Sequence, residues 1–271
     1  MKRFIGEASL ETRDVLAVEE PLEIRLAHPG PERPEPRSLA ITLRTPGHDE
    51  ELAAGFLFTE GVIRSREDLL DLRPLPSPEG CGSGAVQASL RTLPAVDLGR
   101  VQRAFCTTSS CGACGKASLA ALRPRAAFPP APEGADPAIP ARLLHQLPGR
   151  LRAAQAVFAA TGGLHASALF DAAGDCRILR EDVGRHNALD KVIGRALLDG
   201  LLPLRRHLLL VSGRAGFELV QKAAMAGLPF LGAVGAPSSL AVDLAREAGM
   251  TLVGWLRDGR FNVYTGARRL T

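Results

Sequence analysis

From Pro140 to its end the chain alternates short apolar runs with amphipathic stretches, and this alternation restricts the fold more than any single residue does. Leu143, Leu144, Leu147, Leu151, Ala154, Val157 and Phe158 recur at helical spacing, with a break expected at Pro148-Gly149. A hairpin follows: Leu164–Phe170, the turn Asp171-Ala-Ala-Gly174, then Cys176–Glu181. Helix Asn187–Leu198, strand His207–Val211, helix Phe217–Ala226, strand Pro229–Val234, helix Ser239–Ala248 and strand Thr251–Leu256 come next. The turn Arg257-Asp-Gly-Arg260 then introduces Phe261-Asn-Val-Tyr-Thr-Gly266. Strands separated by helices of this length require crossover connections, so a mostly parallel sheet flanked by helices is expected, opened by an antiparallel hairpin.

Upstream the signal is sparser. Leu22–Leu26 and Leu39–Leu43 alternate as half-buried strands do, and Ala85–Leu93 does so less cleanly. Asp49–Glu60 opens with acids that suit a helix N-terminus and ends before Gly61. A cysteine-rich loop, Phe105–Gly115, precedes a short helical stretch over Lys116–Leu122, and the Pro/Ala-rich segment Arg123–Pro140 reads as a linker. The expected organisation is a mixed α/β domain over 1–122, a linker over 123–140 and a second α/β domain over 141–271. With 271 residues, 46% of them hydrophobic, either one large core or two modest ones can be buried.

The formal charge is +4, and only Lys2, Lys116, Lys191 and Lys222 of the 33 basic residues are lysines. Arginine matters because its planar fork grips carboxylate and phosphate oxygens bidentately. The basic residues are dispersed rather than clustered, which gives no footprint for nucleic acid. No apolar run approaches the roughly 18 residues of a membrane span, and the opening MKRFIGEASLETRD lacks the apolar stretch of a signal peptide. A cytoplasmic protein is the expectation.

In open α/β sheets, ligands bind beyond the carboxyl ends of the strands, where helix N-termini present free amides. The corresponding turns here are Glu181–Asn187, Ser212–Gly216 and Gly235–Ser239. Each combines glycine with hydroxyl, Arg or His groups, and none is a Walker loop. They point to a nucleotide-like or pyrophosphate-bearing ligand that is held but not hydrolysed. His165, after Thr161-Gly-Gly-Leu164, and His186, at a helix start, are candidate ligand contacts, His186 the stronger.

The five cysteines are Cys81, Cys106, Cys111, Cys114 and Cys176. An odd count with three packed into nine positions argues against a disulfide scaffold. Three chemistries fit. Cys106, Cys111 and Cys114 have the first three positions of a plant-type iron–sulfur spacing, with a fourth ligand to be found at Cys81 or Cys176. Cys111-Gly-Ala-Cys114 has the form of a dithiol–disulfide pair. A thiolate in a Ser/Gly-rich loop also suits sulfur carriage, since a carried atom must meet a donor and then an acceptor.

Several strings resemble a known family. Thr108–Lys116, Thr161–Ala166, Arg180–Lys191, Ser212–Arg214 with Glu218–Lys222, Ala236–Ala245 and Phe261–Gly266 resemble the formate dehydrogenase accessory sulfurtransferases, the FdhD family. The resemblance implies a persulfide carrier that takes sulfur from a cysteine desulfurase. It passes that sulfur to the molybdenum cofactor, a bis-molybdopterin guanine dinucleotide, before insertion into apo formate dehydrogenase. By this likeness Cys111 carries the persulfide and Cys114 assists, and the protein is a homodimer. Phe261, Asn262, Val263, Tyr264, Thr265 and Gly266 correspond to the cofactor-binding stretch. His165, Arg185, His186, Asn187, Ser212, Gly213 and Arg214 join them as expected contacts to the guanine dinucleotide arms, for which GDP is a mimic. A cytidine-deaminase-like three-layer α/β/α fold is implied for the second domain. Deaminase chemistry is not: zinc deaminases need His-x-Glu and Pro-Cys-x-x-Cys at two helix starts, where this chain has His186-Asn-Ala188 and Ser212-Gly-Arg214. The competing reading is a non-catalytic cofactor chaperone whose cysteines form a metal or redox clip.

Overall fold

In the computed structural model, which describes residues 1–27, 36–75, 84–92, 98, 128, 138–257 and 259–271, two sheets are joined through a pair of buried helices. Lys2–Ile5 (β1) and Ala8–Glu11 (β2) form a short exposed hairpin that the hydrophobic pattern does not foreshadow. Glu20–Ala27 (β3) pairs antiparallel with Arg37–Arg44 (β4) and parallel with Gly84–Leu90 (β6), which in turn pairs antiparallel with Leu69–Leu75 (β5). Leu22, Ile24 and Leu26 alternate inward on β3, and Val86, Ala88 and Leu90 do the same on β6. Their shared face packs on helix Asp49–Thr59 (α1), in which every residue from Glu51 to Thr59 is buried. A helix apolar on all sides must be covered on all sides.

The covering partner is Arg185–Leu198 (α4), in the second half of the chain. Before it come Ala141–Ala154 (α2), Ala156–Thr161 (α3), and the hairpin of His165–Phe170 (β7) with Cys176–Asp182 (β8). After it come Leu208–Val211 (β9), Phe217–Met225 (α5), Phe230–Ala233 (β10), Ser239–Glu247 (α6), Thr251–Arg257 (β11) and Arg260–Thr265 (β12). The six-stranded sheet runs β12-β11-β10-β9-β7-β8. It is mixed α/β, but less parallel than periodicity suggests: β9, β10 and β11 are parallel, while β7–β8, β7–β9 and β11–β12 are antiparallel. The connections between β7 and β8 and between β11 and β12 are too few residues long for a crossover, so both flanks end in antiparallel pairs of consecutive strands.

Side-chain alternation sorts this sheet into two faces. Leu209, Val211, Leu231, Ala233 and Leu252 face α4, α5 and α6, in one buried cluster that continues into α1 and the four-stranded sheet. Leu208, Leu210, Phe230 and Val253 face Leu143, Leu144, Leu147 and Leu151 of α2. Helix α2 runs straight through Pro148-Gly149, contrary to the sequence expectation, and the chain breaks at Gln155 instead. The four leucines sit on the sheet at helical spacing, whereas Gly149 and Arg150 face solvent, so tertiary burial outweighs the missing proline donor.

Helices α1 and α4 cross with their backbones in contact. A Cβ on Gly194 would fall into the carbonyl of Glu51, and one on Gly55 into the carbonyl of Asp190. Glycine at both positions lets the two halves of the chain approach this closely.

Candidate functional site

The string Arg180–Lys191 spans the end of β8 and the start of α4, and most of it ties the two sheets together. The Arg180 guanidinium binds the Glu51 carboxylate of α1 bidentately, at 2.5 and 2.8 Å. Glu181 turns the other way and accepts the first free amides of α3, from Phe158 at 2.8 Å and Val157 at 3.0 Å. Asp182, fully buried, meets the Lys191 ammonium at 2.7 Å and accepts from the amides of Thr45 and Gly184 at 3.1 and 2.8 Å. Asn187 donates to the Leu43 carbonyl at 2.7 Å and accepts from the Thr42 hydroxyl at 3.2 Å. One helical turn on, Asp190 pairs with Lys222 of α5 at 2.9 Å, and the Thr59 hydroxyl accepts from Lys222 while donating to Asp190. Each buried charge has a partner, as burial requires.

Arg185 and His186 are not consumed in this way. Because β8, β9 and β10 all run in one direction, the turns that follow them meet at one edge of the sheet. There the Ser212 amide donates to the Ala166 carbonyl at 2.9 Å, and the Gly235 amide donates to the Gly213 carbonyl at 3.0 Å. The Ser212 hydroxyl accepts from the Ala166 amide at 2.8 Å and lies 3.4 Å from His165 Nδ1. Gly213 lies against both the His165 ring and the Arg185 side chain. Arg185 and the exposed Arg214 have no ion-pair partner among the described residues. The first amides of α4 add a positive helix end to the same edge. Burial, then the charge on Arg185, then that on His186 push the His165 pKa down, so its imidazole is neutral near pH 7. His186 Nε2 lies 2.8 Å from a Glu218 carboxylate oxygen on the first turn of α5, while the other carboxylate oxygen is buried without a partner among the described residues.

The C-terminal segment divides between several places. Asn262 pairs with Gly254 and Val263 with Val253, and the Tyr264 ring lies against Gly254. A Cβ at Gly254 would sit 2.7 Å from Pro237 Cδ and 3.1 Å from the Tyr264 ring, so only glycine fits between the turn after β10 and β12. Phe261 instead packs on the α2 face, its ring centroid 5.1 Å from that of His145. Thr265 lies at the far end of β11, where its hydroxyl donates to the Met250 carbonyl at 2.7 Å and accepts from the Leu252 amide at 3.1 Å. Gly266, with φ 64°, turns against Thr251 at that same far end. The structure thus gathers His165, Arg185, His186, Ser212, Gly213, Arg214 and, beside them, Asn262 and Tyr264. Asn187, Phe261, Thr265 and Gly266 serve packing or backbone bonds.

Two residues absent from the sequence-based site stand at this edge. Glu218 is the His186 partner, and its place as the second residue of the helix after Ser212–Gly216 is the signal for it. Trp255 adopts φ 54°, a left-handed conformation that costs a non-glycine residue roughly 1–2 kcal/mol. Its amide donates to the Gly235 carbonyl at 3.0 Å, at a register shift between β11 and β12. It is the only tryptophan in the sequence, and that rarity is its signal.

Cys81, Cys106, Cys111 and Cys114 lie outside the described residues, as do the helical stretch 116–122, the proposed boundary at 122 and most of the linker 123–140. Cys176 begins β8 on an exposed position, yet burial of its sulfur pushes the thiol pKa up, which disfavours a thiolate.

A mixed sheet whose carboxyl edge collects arginines, a helix N-terminus, a hydroxyl, a neutral imidazole and the Glu218 carboxylate defines an α/β module with a polar, arginine-bearing edge. The chain matches the FdhD/NarQ family model over residues 17–271 and belongs to that family. It is 53% identical over 264 residues to a protein of Mycolicibacterium paratuberculosis named "Sulfur carrier protein FdhD", covering 95% of this chain and 92% of that one. A Streptomyces avermitilis protein of the same name is 52% identical over 274 residues, covering 98% and 93%. In fold, the chain resembles the crystal structure of a putative formate dehydrogenase accessory protein from Desulfotalea psychrophila, with TM-score 0.73 and 24% identity over 100% of this chain and 97% of the other. No described helix is long and apolar enough to cross a membrane.

Proposed function

We propose that this protein is a sulfur carrier serving formate dehydrogenase. It takes sulfur from a cysteine desulfurase as a persulfide on Cys111 and delivers it to a bis-molybdopterin guanine dinucleotide cofactor held at the carboxyl edge of the six-stranded sheet. In the first step the Cys111 thiolate attacks the outer sulfur of the desulfurase persulfide. The desulfurase thiolate leaves, and the sulfane sulfur moves without net oxidation. Cys114 stands three residues away to assist release. The cofactor is the client of this reaction. Its phosphates and guanine would meet Arg185, Arg214 and the free amides at the start of α4, with the neutral His165 as a hydrogen-bonding group.

One observation carries this reading: a chain half identical, over nearly its whole length, to proteins named sulfur carriers contains the two-cysteine string Cys111-Gly-Ala-Cys114. Support from the geometry comes from Arg185 and Arg214, which stand at one edge without carboxylate partners among the described residues. Cys176, with its raised thiol pKa, is a poor alternative carrier. The test is cyanide-labile sulfur on the purified protein after incubation with desulfurase and cysteine. The wild type should approach one equivalent per chain and Cys111→Ala should hold almost none; equal loading of the two would refute the assignment.

A further inference from the structure

Along the carboxyl edge the chain places Arg185 at one end, Arg214 between, and the exposed Trp255 at the other end. Arg185 and His165 flank Gly213 at one end. Arg214 and Gly235 lie in van der Waals contact next along the edge, and Trp255 is tied to Gly235 by its amide at the other end. From β7 to β11 the edge crosses three strand gaps, about 14 Å at the usual strand spacing, which suits a base at one end and a diphosphate at the other. Trp255 remains 39% exposed, and the Arg257 guanidinium lies 5.4 Å from its ring centroid.

The backbone makes this placement unusual. Left-handed positions belong to glycine, and elsewhere in this chain the turns at Gly162, Gly174, Gly227, Gly249 and Gly266 follow that rule, whereas Trp255 does not. A bulky aromatic is held instead in the strained position of a bulge, where a bulge re-aims its side chain away from the regular alternation. Leu252, Val253 and Leu256 on the same strand are fully buried, so the half-exposed Trp255 is a departure from the pattern of β11.

We propose that the Trp255 indole is the stacking platform for the purine base of a nucleoside diphosphate whose phosphates lie toward Arg214 and Arg185. This deepens the functional reading above and rests on it: the guanine of the cofactor would be the base bound, and free GDP its probe. Stacking uses the ring face, tolerates any purine and gains from the adjacent guanidinium.

Because the chain has one tryptophan, fluorescence excited on the red side of the indole band, where tyrosine does not absorb, reports on this ring alone. GDP should quench it saturably and inorganic pyrophosphate should not. Calorimetry should show GDP binding to Trp255→Leu roughly 5- to 150-fold more weakly, the range expected from loss of one base-stacking contact, and to Trp255→Phe within a few-fold of wild type. Trp255→Gly relieves the left-handed strain, so a variant that melts as wild type but binds GDP weakly assigns the ring to the ligand rather than to folding. Calorimetric GDP binding that leaves the fluorescence unchanged and is equal in Trp255→Leu overturns the platform while leaving the arginine-bearing edge intact. No calorimetric GDP binding to the wild type overturns both.

Discussion

The α1–α4 crossing makes a prediction whose sign separates local propensity from tertiary packing. Replacing Gly194 by alanine inside α4 should, on helix propensity alone, stabilise the protein by about 1 kcal/mol. At this position, however, the new methyl would overlap the Glu51 carbonyl oxygen outright and sit 2.7 Å from both the Glu51 carbonyl carbon and the Gly55 amide nitrogen. Relieving even the two 2.7 Å contacts requires the helices to part by roughly 1 Å, since carbon contacts are optimal at about 3.5–4.0 Å, and that separation sets the minimum cost. Helix α1 has 11 residues and is therefore about 16 Å long. Parting a strip of that length and about 8 Å wide opens roughly 130 Å³, which costs about 3 kcal/mol at ~24 cal/mol per Å³. Net destabilisation is then about 2 kcal/mol, a fall in Tm of roughly 4–8 °C for a domain of this size. Gly149 is the control, because nothing lies within 4 Å of its added methyl and α2 is helical there. Gly149→Ala should raise Tm slightly. Thermal unfolding followed by circular dichroism decides the matter, and a Gly194→Ala variant melting at or above wild type would refute the packing account.

Lys222→Met removes the ammonium and leaves the Asp190 carboxylate buried beside a lone hydroxyl. It should destabilise the fold by about 3–5 kcal/mol in urea titrations, and Lys222→Met with Asp190→Leu should recover most of the loss. His48, His165 and His207 all have pKa values lowered below 6.5, with burial the largest cause in each. A depressed folded pKa contributes stability above the unfolded pKa and loses it as pH falls, so Tm should decline as pH drops below about 6.5. A flat or rising Tm there would contradict this. In NMR titrations Arg185→Gln should raise the His165 midpoint, because the guanidinium is the second largest cause of its depression.

Much of the architecture was open to sequence reading because it rests on local periodicity. The strands at 22–26 and 39–43, the helix from Asp49 and every element from Leu164 onward are found within a few residues of where spacing puts them. The exceptions share a cause. Helix α2 survives Pro148 because four leucines hold it to the sheet, and no local rule counts that burial. Strand β5 and the β1–β2 hairpin have mostly exposed residues and so show no clear period.

For the candidate site, the three turns with Arg185 and Arg214 follow from a general rule about sheet edges, and folding brings them to one edge with His165, which the glycine-rich turn before β7 singled out. The string Arg180–Lys191 conveyed family membership but not the work of its members. Only folding shows that Arg180, Asp182, Asn187, Asp190 and Lys191 bind α1, the β4 region and α5, because their partners are roughly 30 to 150 residues away in sequence. The Phe261–Gly266 stretch divides for a similar reason: strand pairing with β11 sends Phe261 to one face and Thr265 to the far end, a register that composition does not encode. What the sequence determined by itself was the alternation, the turn chemistry and the cysteine pair, all carried by neighbours along the chain. The tertiary structure alone decided the close glycine crossing, the buried ion pairs and the strained Trp255, since each depends on distances between segments that no local spacing contains.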